Sequence, residues 1–199
     1  MRPEQLRAAL TEVPGQEWLT DALGRVAAEP AMIQRFFPAV GRRCGRAGLP
    51  GLPDWTADEA ARVLLLAALS AEAAPTQVDS LYWYGDAAEK RAVLKALPLL
   101  PIGTEAVPLL HDAIRTNDTR LVAAALGPYA RHLEPAMWRQ AVLKCVFMEV
   151  PLSVVDGLAE RADAELAAML AGLVAERRAA GRDIAADALD LLDKLTKEA

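Results

Sequence analysis

The chain has 199 residues, 53% of them hydrophobic and 25% charged, with a net charge of -5 at pH 7. That is enough apolar material for a sizeable core, most simply in one domain over residues 1–199. The acidic balance argues against sequence-independent nucleic-acid binding, which needs many phosphates neutralised by Lys and Arg.

Apolar residues recur at three- and four-residue intervals and almost never alternate strictly, which predicts an all-α protein. The longest apolar run, Val63 to Leu69, is far short of the roughly 18 to 20 residues that span a bilayer, so no membrane insertion is expected. The amino terminus, Met1-Arg2-Pro3-Glu4, carries acid where a signal peptide would carry its apolar stretch, and the expected location is the cytoplasm. Cys44 and Cys145 are neither a disulfide framework nor a zinc spacing, and both are expected to be reduced.

Residues 1–55 read as less regular helices closed by a Gly/Pro/Arg loop, and 56–199 as stacked helical units. In that loop, Gly41 to Asp54, no helix can continue. Arg42 and Arg43 lie there beside glycines, a combination that either cradles a phosphate or sulfate or forms a solvated turn. Thr56-Ala57-Asp58-Glu59 is a capping box that starts a helix running to about Ala74, where Pro75 ends it. Three adjacent aromatics, Tyr82 to Tyr84, are expected to anchor a helix-to-loop junction in the core.

Asp86-Ala87-Ala88-Glu89 repeats the capping logic before a helix that Pro98 or Pro101 stops. The next helix begins near Thr104 and ends around Arg115. Asp118 is the expected N-cap of a short helix through Leu126, and Glu134-Pro135 opens another. Leu158, Ala162, Leu166, Met169, Leu170 and Leu173 form the apolar stripe of one long helix that Gly181 terminates, and Asp183 is placed to cap the last. Short helical units with short loops fit hairpins stacked as in a HEAT-like solenoid; an irregular bundle competes, since no strict repeat period is present.

Chemistry-bearing side chains gather in the middle third. Asp86, Glu89 and Lys90 at one helix start and Arg115, Asn117 and Asp118 at the next corner are candidate ligand-binding residues if the two junctions share a surface. Capping and ion pairing are the simpler account of the same residues. Lys144 stands in an otherwise apolar helix segment, where a cation needs a partner, a ligand anion or a route to solvent. His111 and His132 lack ligand spacing, so no metal is expected, and no serine has a nucleophile-elbow setting.

In this order, Tyr84-Gly85-Asp86-x-x-Glu89-Lys90-Arg91, Arg115-Thr116-Asn117-Asp118, Leu143-Lys144-Cys145-x-Phe147 and Glu176-Arg177-Arg178-Ala179-Ala180-Gly181-Arg182 resemble the EboA family over roughly residues 30 to 190. The resemblance implies a bacterial protein encoded in ebo-type clusters, beside predicted prenyltransferase, cyclase-like and TIM-barrel enzymes, and tied to production or export of secondary metabolites. It transfers no catalytic residue, and no cofactor is expected. The expected function is that of an accessory protein binding a partner enzyme of the same gene cluster or a small anionic metabolite. The alternative is an enzyme acting on a cyclitol-, sugar- or prenyl-phosphate intermediate, and the blandest reading is a helical-repeat interaction module without a small ligand.

Overall fold

A computed structural model describes residues 1–198. The described residues are predominantly helical, with one two-stranded hairpin as their only sheet. The chain divides into two compact units, Met1–Leu109 and Leu110–Ala199.

The first unit begins with α1 (Pro3–Ala9), α2 (Gln16–Ala28), α3 (Ile33–Phe36) and α4 (Val40–Arg43). Of the Gly41 to Asp54 segment, Gly41 to Arg43 are helical in α4 and not part of a loop, and the later residues enter the hairpin, β1 (Gly48–Leu49) antiparallel to β2 (Leu52–Thr56). Helical periodicity gives no sign of this hairpin; the turn chemistry does. Pro50 has its φ preset for the first central position of a turn, and Gly51, at φ 73°, takes the left-handed second position that L side chains resist.

α5 (Ala57–Ala67) is the central helix of this unit, with every residue from Ala57 to Leu66 buried. α1, α2, α4 and α7 (Ala87–Ala96) all pack against it. The capping box that starts it is present, with Glu59 Oε2 accepting from the Thr56 N–H at 3.2 Å. The helix ends earlier than the expected Ala74. A turn intervenes, where Ser70 Oγ accepts from the Ala73 N–H at 3.3 Å, and α6 (Ala74–Tyr84) begins with Pro75 in its first turn. Proline lacks only a donor that a first turn does not use, so here it opens a helix instead of closing one. Of the three aromatics at the end of α6, Tyr82 is buried while Tyr84 is 90% exposed, so the core takes one ring of the three.

The boundary between the units falls within α8 (Val107–Arg115). The second unit continues with α9 (Thr119–Ala125), α10 (Pro135–Phe147), α11 (Leu158–Arg161), α12 (Ala164–Ala179) and α13 (Ala186–Glu198). α10 packs on α9 and α12, and α12 on α13, around a core that includes Leu121, Trp138, Val142, Leu166, Leu170 and Val174. Asp118 caps α9 and Glu134-Pro135 opens α10, as the sequence predicts.

The stripe beginning at Leu158 is two helices. Ala162 is extended, and Asp163 caps α12 by accepting from the Leu166 N–H at 3.0 Å. An Asp three residues ahead of an apolar run offers the cap that lets the chain break and restart. Gly181 terminates α12 at φ 64°. Asp183 does not cap the last helix: its carbonyl accepts from Arg177 Nε at 3.0 Å, while Asp187 Oδ2, one turn later, accepts from the Leu152 N–H at 2.7 Å.

Candidate functional site

In the first unit, the charged residues of α5 build a network that residue type alone would assign to solvent. Arg62 is 1% exposed, with Nη1 2.6 Å from Asp58 Oδ2 and Nη2 3.9 Å from Glu89 Oε1. Its guanidinium lies 5.5 Å from the Phe37 ring centroid, and Nε donates to the Phe37 carbonyl at 3.3 Å. Glu59 accepts from Arg91 Nη1 at 2.7 Å and Lys95 Nζ at 2.8 Å. Lys95 also donates to the Asp54 carbonyl at 2.5 Å and sits 3.8 Å over the Trp55 ring. Burial pushes its ammonium below the usual lysine range, opposed by the bond to Glu59. Three acids and three bases are thus matched, and the network ties the hairpin, α5 and α7 together.

Within this unit the expected site residues serve that framework. Asp86 caps α7, accepting from the Glu89 N–H at 2.9 Å, and Glu89 returns the bond to the Asp86 N–H at 3.0 Å. Lys90 lies 4.8 Å over the Tyr82 ring and 5.8 Å from that of Trp83. Arg42 and Arg43 are exposed on α4.

The second unit carries an open groove of about 650 Å³ between α10 and α12, with Asn117 at its border. Gln140, Leu143, Lys144, Phe147 and Met148 face it at the i, i+3, i+4, i+7, i+8 spacing of one helix face. From α12 come Ala168, Met169, Gly172, Leu173 and Glu176, again one face. The lining is mostly apolar, and Phe147 is 60% exposed along it. Two expected residues, Asn117 and Lys144, are brought together here. Asp118 is occupied nearby as a cap: it accepts from the Arg120 N–H at 2.9 Å and pairs with the Arg120 guanidinium at 2.7 Å, which holds its carboxyl below the usual range. Arg115 is an exposed side chain 3.8 Å from Asp112.

Lys144 is half-buried, and Nζ donates to the Thr116 carbonyl at 2.7 Å, just past the end of α8. A cation is favourable against the orphan carbonyls of a helix C-terminus. Among the described residues it has no carboxylate partner, so one of its three N–H groups is satisfied by the backbone and its charge is left uncompensated beside the groove. Arg177, next in sequence to the lining Glu176, donates to the Phe147 carbonyl and to Glu149 Oε1, both at 3.2 Å. Cys145 faces the core; burial pushes its thiol up to about 12, so it offers no nucleophile.

Among the lining residues the sequence points only to Asn117 and Lys144 as binding candidates; Gln140, Leu143, Phe147 and Met148 and the whole α12 side were missed. The signal was available in the spacing: Met169 and Leu173 sit in the apolar stripe, yet they flank the buried Leu166, Leu170 and Val174 and widen the stripe beyond what a core face needs.

Fold and groove together define a predominantly helical protein with an open, largely apolar groove bordered by Lys144, which among the described residues has no carboxylate partner. The sequence model described as "Metabolite traffic protein EboA" matches residues 48–193, and the chain belongs to this EboA family. Neither the curated proteins nor the solved structures gave a match to it. The family description points to a role in metabolite traffic. Among the described residues no helix is long and apolar enough to cross a membrane.

Proposed function

We propose that this protein binds a small metabolite in the α10–α12 groove and holds it during transfer, working in the cytoplasm beside enzymes of its gene cluster. The groove is the supporting observation. Its volume of about 650 Å³ falls within the usual range for small-molecule sites, and its apolar walls with a few polar groups have the composition such sites share. Three of the four motifs that carry the family resemblance each put a residue on it: Asn117, then Leu143, Lys144 and Phe147, then Glu176. Nothing in the lining pairs a nucleophile with a base, which favours holding over transforming.

Native mass spectrometry of freshly purified protein, followed by identification of what is released, tests this. A retained small molecule is expected on the wild type and not on Phe147→Asp, which places a charge on an exposed wall position without touching the core. Absence of any retained molecule from wild-type protein purified from its own producing cells would withdraw the proposal.

A further inference from the structure

We propose that the groove is selective for an elongated apolar molecule carrying one anionic head, with the head at Lys144, the chain along the wall of α12, and Gly172 setting the width it accepts. This rests on the groove being the metabolite site and names the chemical class it takes.

The head group follows from charge. Lys144 reaches the groove with one N–H bonded to the Thr116 carbonyl and, among the described residues, with no carboxylate in ion-pair contact. An anionic acceptor satisfies its remaining donors, and a charge-assisted bond is about twice as strong as a neutral one. Glu176 is the acidic member of the lining and lies exposed, where a second anionic group on the ligand would meet repulsion. One head and an uncharged remainder fit this arrangement. The remainder follows from Leu143, Phe147, Met148, Met169 and Leu173, of which the two methionines adapt to irregular apolar shapes.

Gly172 sits inside α12, a long helix in which glycine is less favourable than alanine. Its φ is not positive, and a Cβ built on it would meet nothing within 4 Å. Neither backbone conformation nor close packing therefore calls for glycine here. What the missing side chain leaves is open width in the groove, beside Ala168 one turn earlier, which adds only a methyl group.

Titration calorimetry with decanoate, decanol and decylamine, which share a tail and differ in the head, tests the proposal on the full chain. Wild-type protein is expected to bind decanoate about ten-fold more tightly than decanol, the equivalent of one charge-assisted bond, and decylamine most weakly. Lys144→Met should bring decanoate down to the decanol level while leaving decanol binding in place. Gly172→Leu should remove binding of all three. Gly172→Ala, which should melt at or above the wild-type temperature because alanine suits a helix better than glycine, should weaken binding several-fold and so separates lost width from lost folding. Equal affinity for the three heads, preference for the amine, or full binding by Gly172→Leu would overturn the inference. So would a concentration-dependent dimer broken by Gly172→Leu, which would give the groove to a second copy. If wild type binds none of the probes yet retains another molecule in native mass spectrometry, this assignment fails and the groove remains the metabolite site. If nothing is retained and nothing binds, both fail.

Discussion

Glu59 Oε2 lies 2.8 Å from Lys95 Nζ, and through that contact the buried face of α5 is joined to α7. The same carboxylate accepts from Arg91 and from the Thr56 N–H, so it ends the hairpin, starts α5 and anchors α7 at once. With Glu59 4% exposed, water cannot replace these partners.

Glu59→Ala is therefore expected to destabilise the protein by about 3 to 5 kcal/mol, the range for breaking a buried pair and leaving its cations uncompensated. Lys95→Met should cost less, since Met keeps the apolar stem over Trp55. Urea unfolding of the two variants checks this; a loss below about 1 kcal/mol for Glu59→Ala would show that the network carries little stability.

Asp163 predicts an acid-sensitive step in the second unit. Its carboxylate is held below the usual range, first by the bonds to Arg139, the shortest at 2.5 Å, and then by the Leu166 N–H. A depressed folded-state pKa contributes stability that is present above the unfolded value of about 3.9 and lost as pH falls through the folded value. Asp163→Asn keeps the cap and removes the ion pair. Its deficit relative to wild type, measured as a urea midpoint, should be present at about pH 6 and shrink as pH falls below the unfolded value of about 3.9. A deficit that grows in acid would contradict the assignment.

Asp118 separates cap from site. Asp118→Ala should cost about 0.5 to 2 kcal/mol as the bond to the Arg120 N–H is lost, whereas Asn caps about as well as Asp. Because the carboxylate is already engaged by Arg120 and does not line the groove, Asp118→Asn is expected to retain the same bound molecule as wild type. A loss of that molecule in native mass spectrometry, with an unchanged melting curve, would return Asp118 to the site.

The two cysteines should be silent in the native state. Burial pushes the Cys145 thiol up to about 12 and raises the Cys44 thiol as well. Thiolate is the reactive form, so a disulfide reagent at pH 8 should label neither in native protein and both in denaturant. Rapid labelling of one thiol without denaturant would show local opening around that residue.

What the sequence determined by itself was the part of the structure governed by near neighbours. The caps at Asp86 and Asp118, the start at Glu134-Pro135 and the stop at Gly181 each depend on backbone groups within a few residues, and all are where the sequence places them. Pro75 was misleading because proline at a helix end and proline in a first turn look alike until the turn at Ser70 is known. Tertiary structure alone decided the rest. Arg62 is buried only because Asp58 and Glu89, on two different helices, supply its counter-charges. The groove exists only where one face of α10 meets one face of α12, and the opening at Gly172 is visible only once its neighbours are in place. Local hydrogen bonds are specified by a few adjacent residues, whereas a buried charge or a cavity is a property of surfaces brought together from distant parts of the chain, and no local pattern records which surfaces those are.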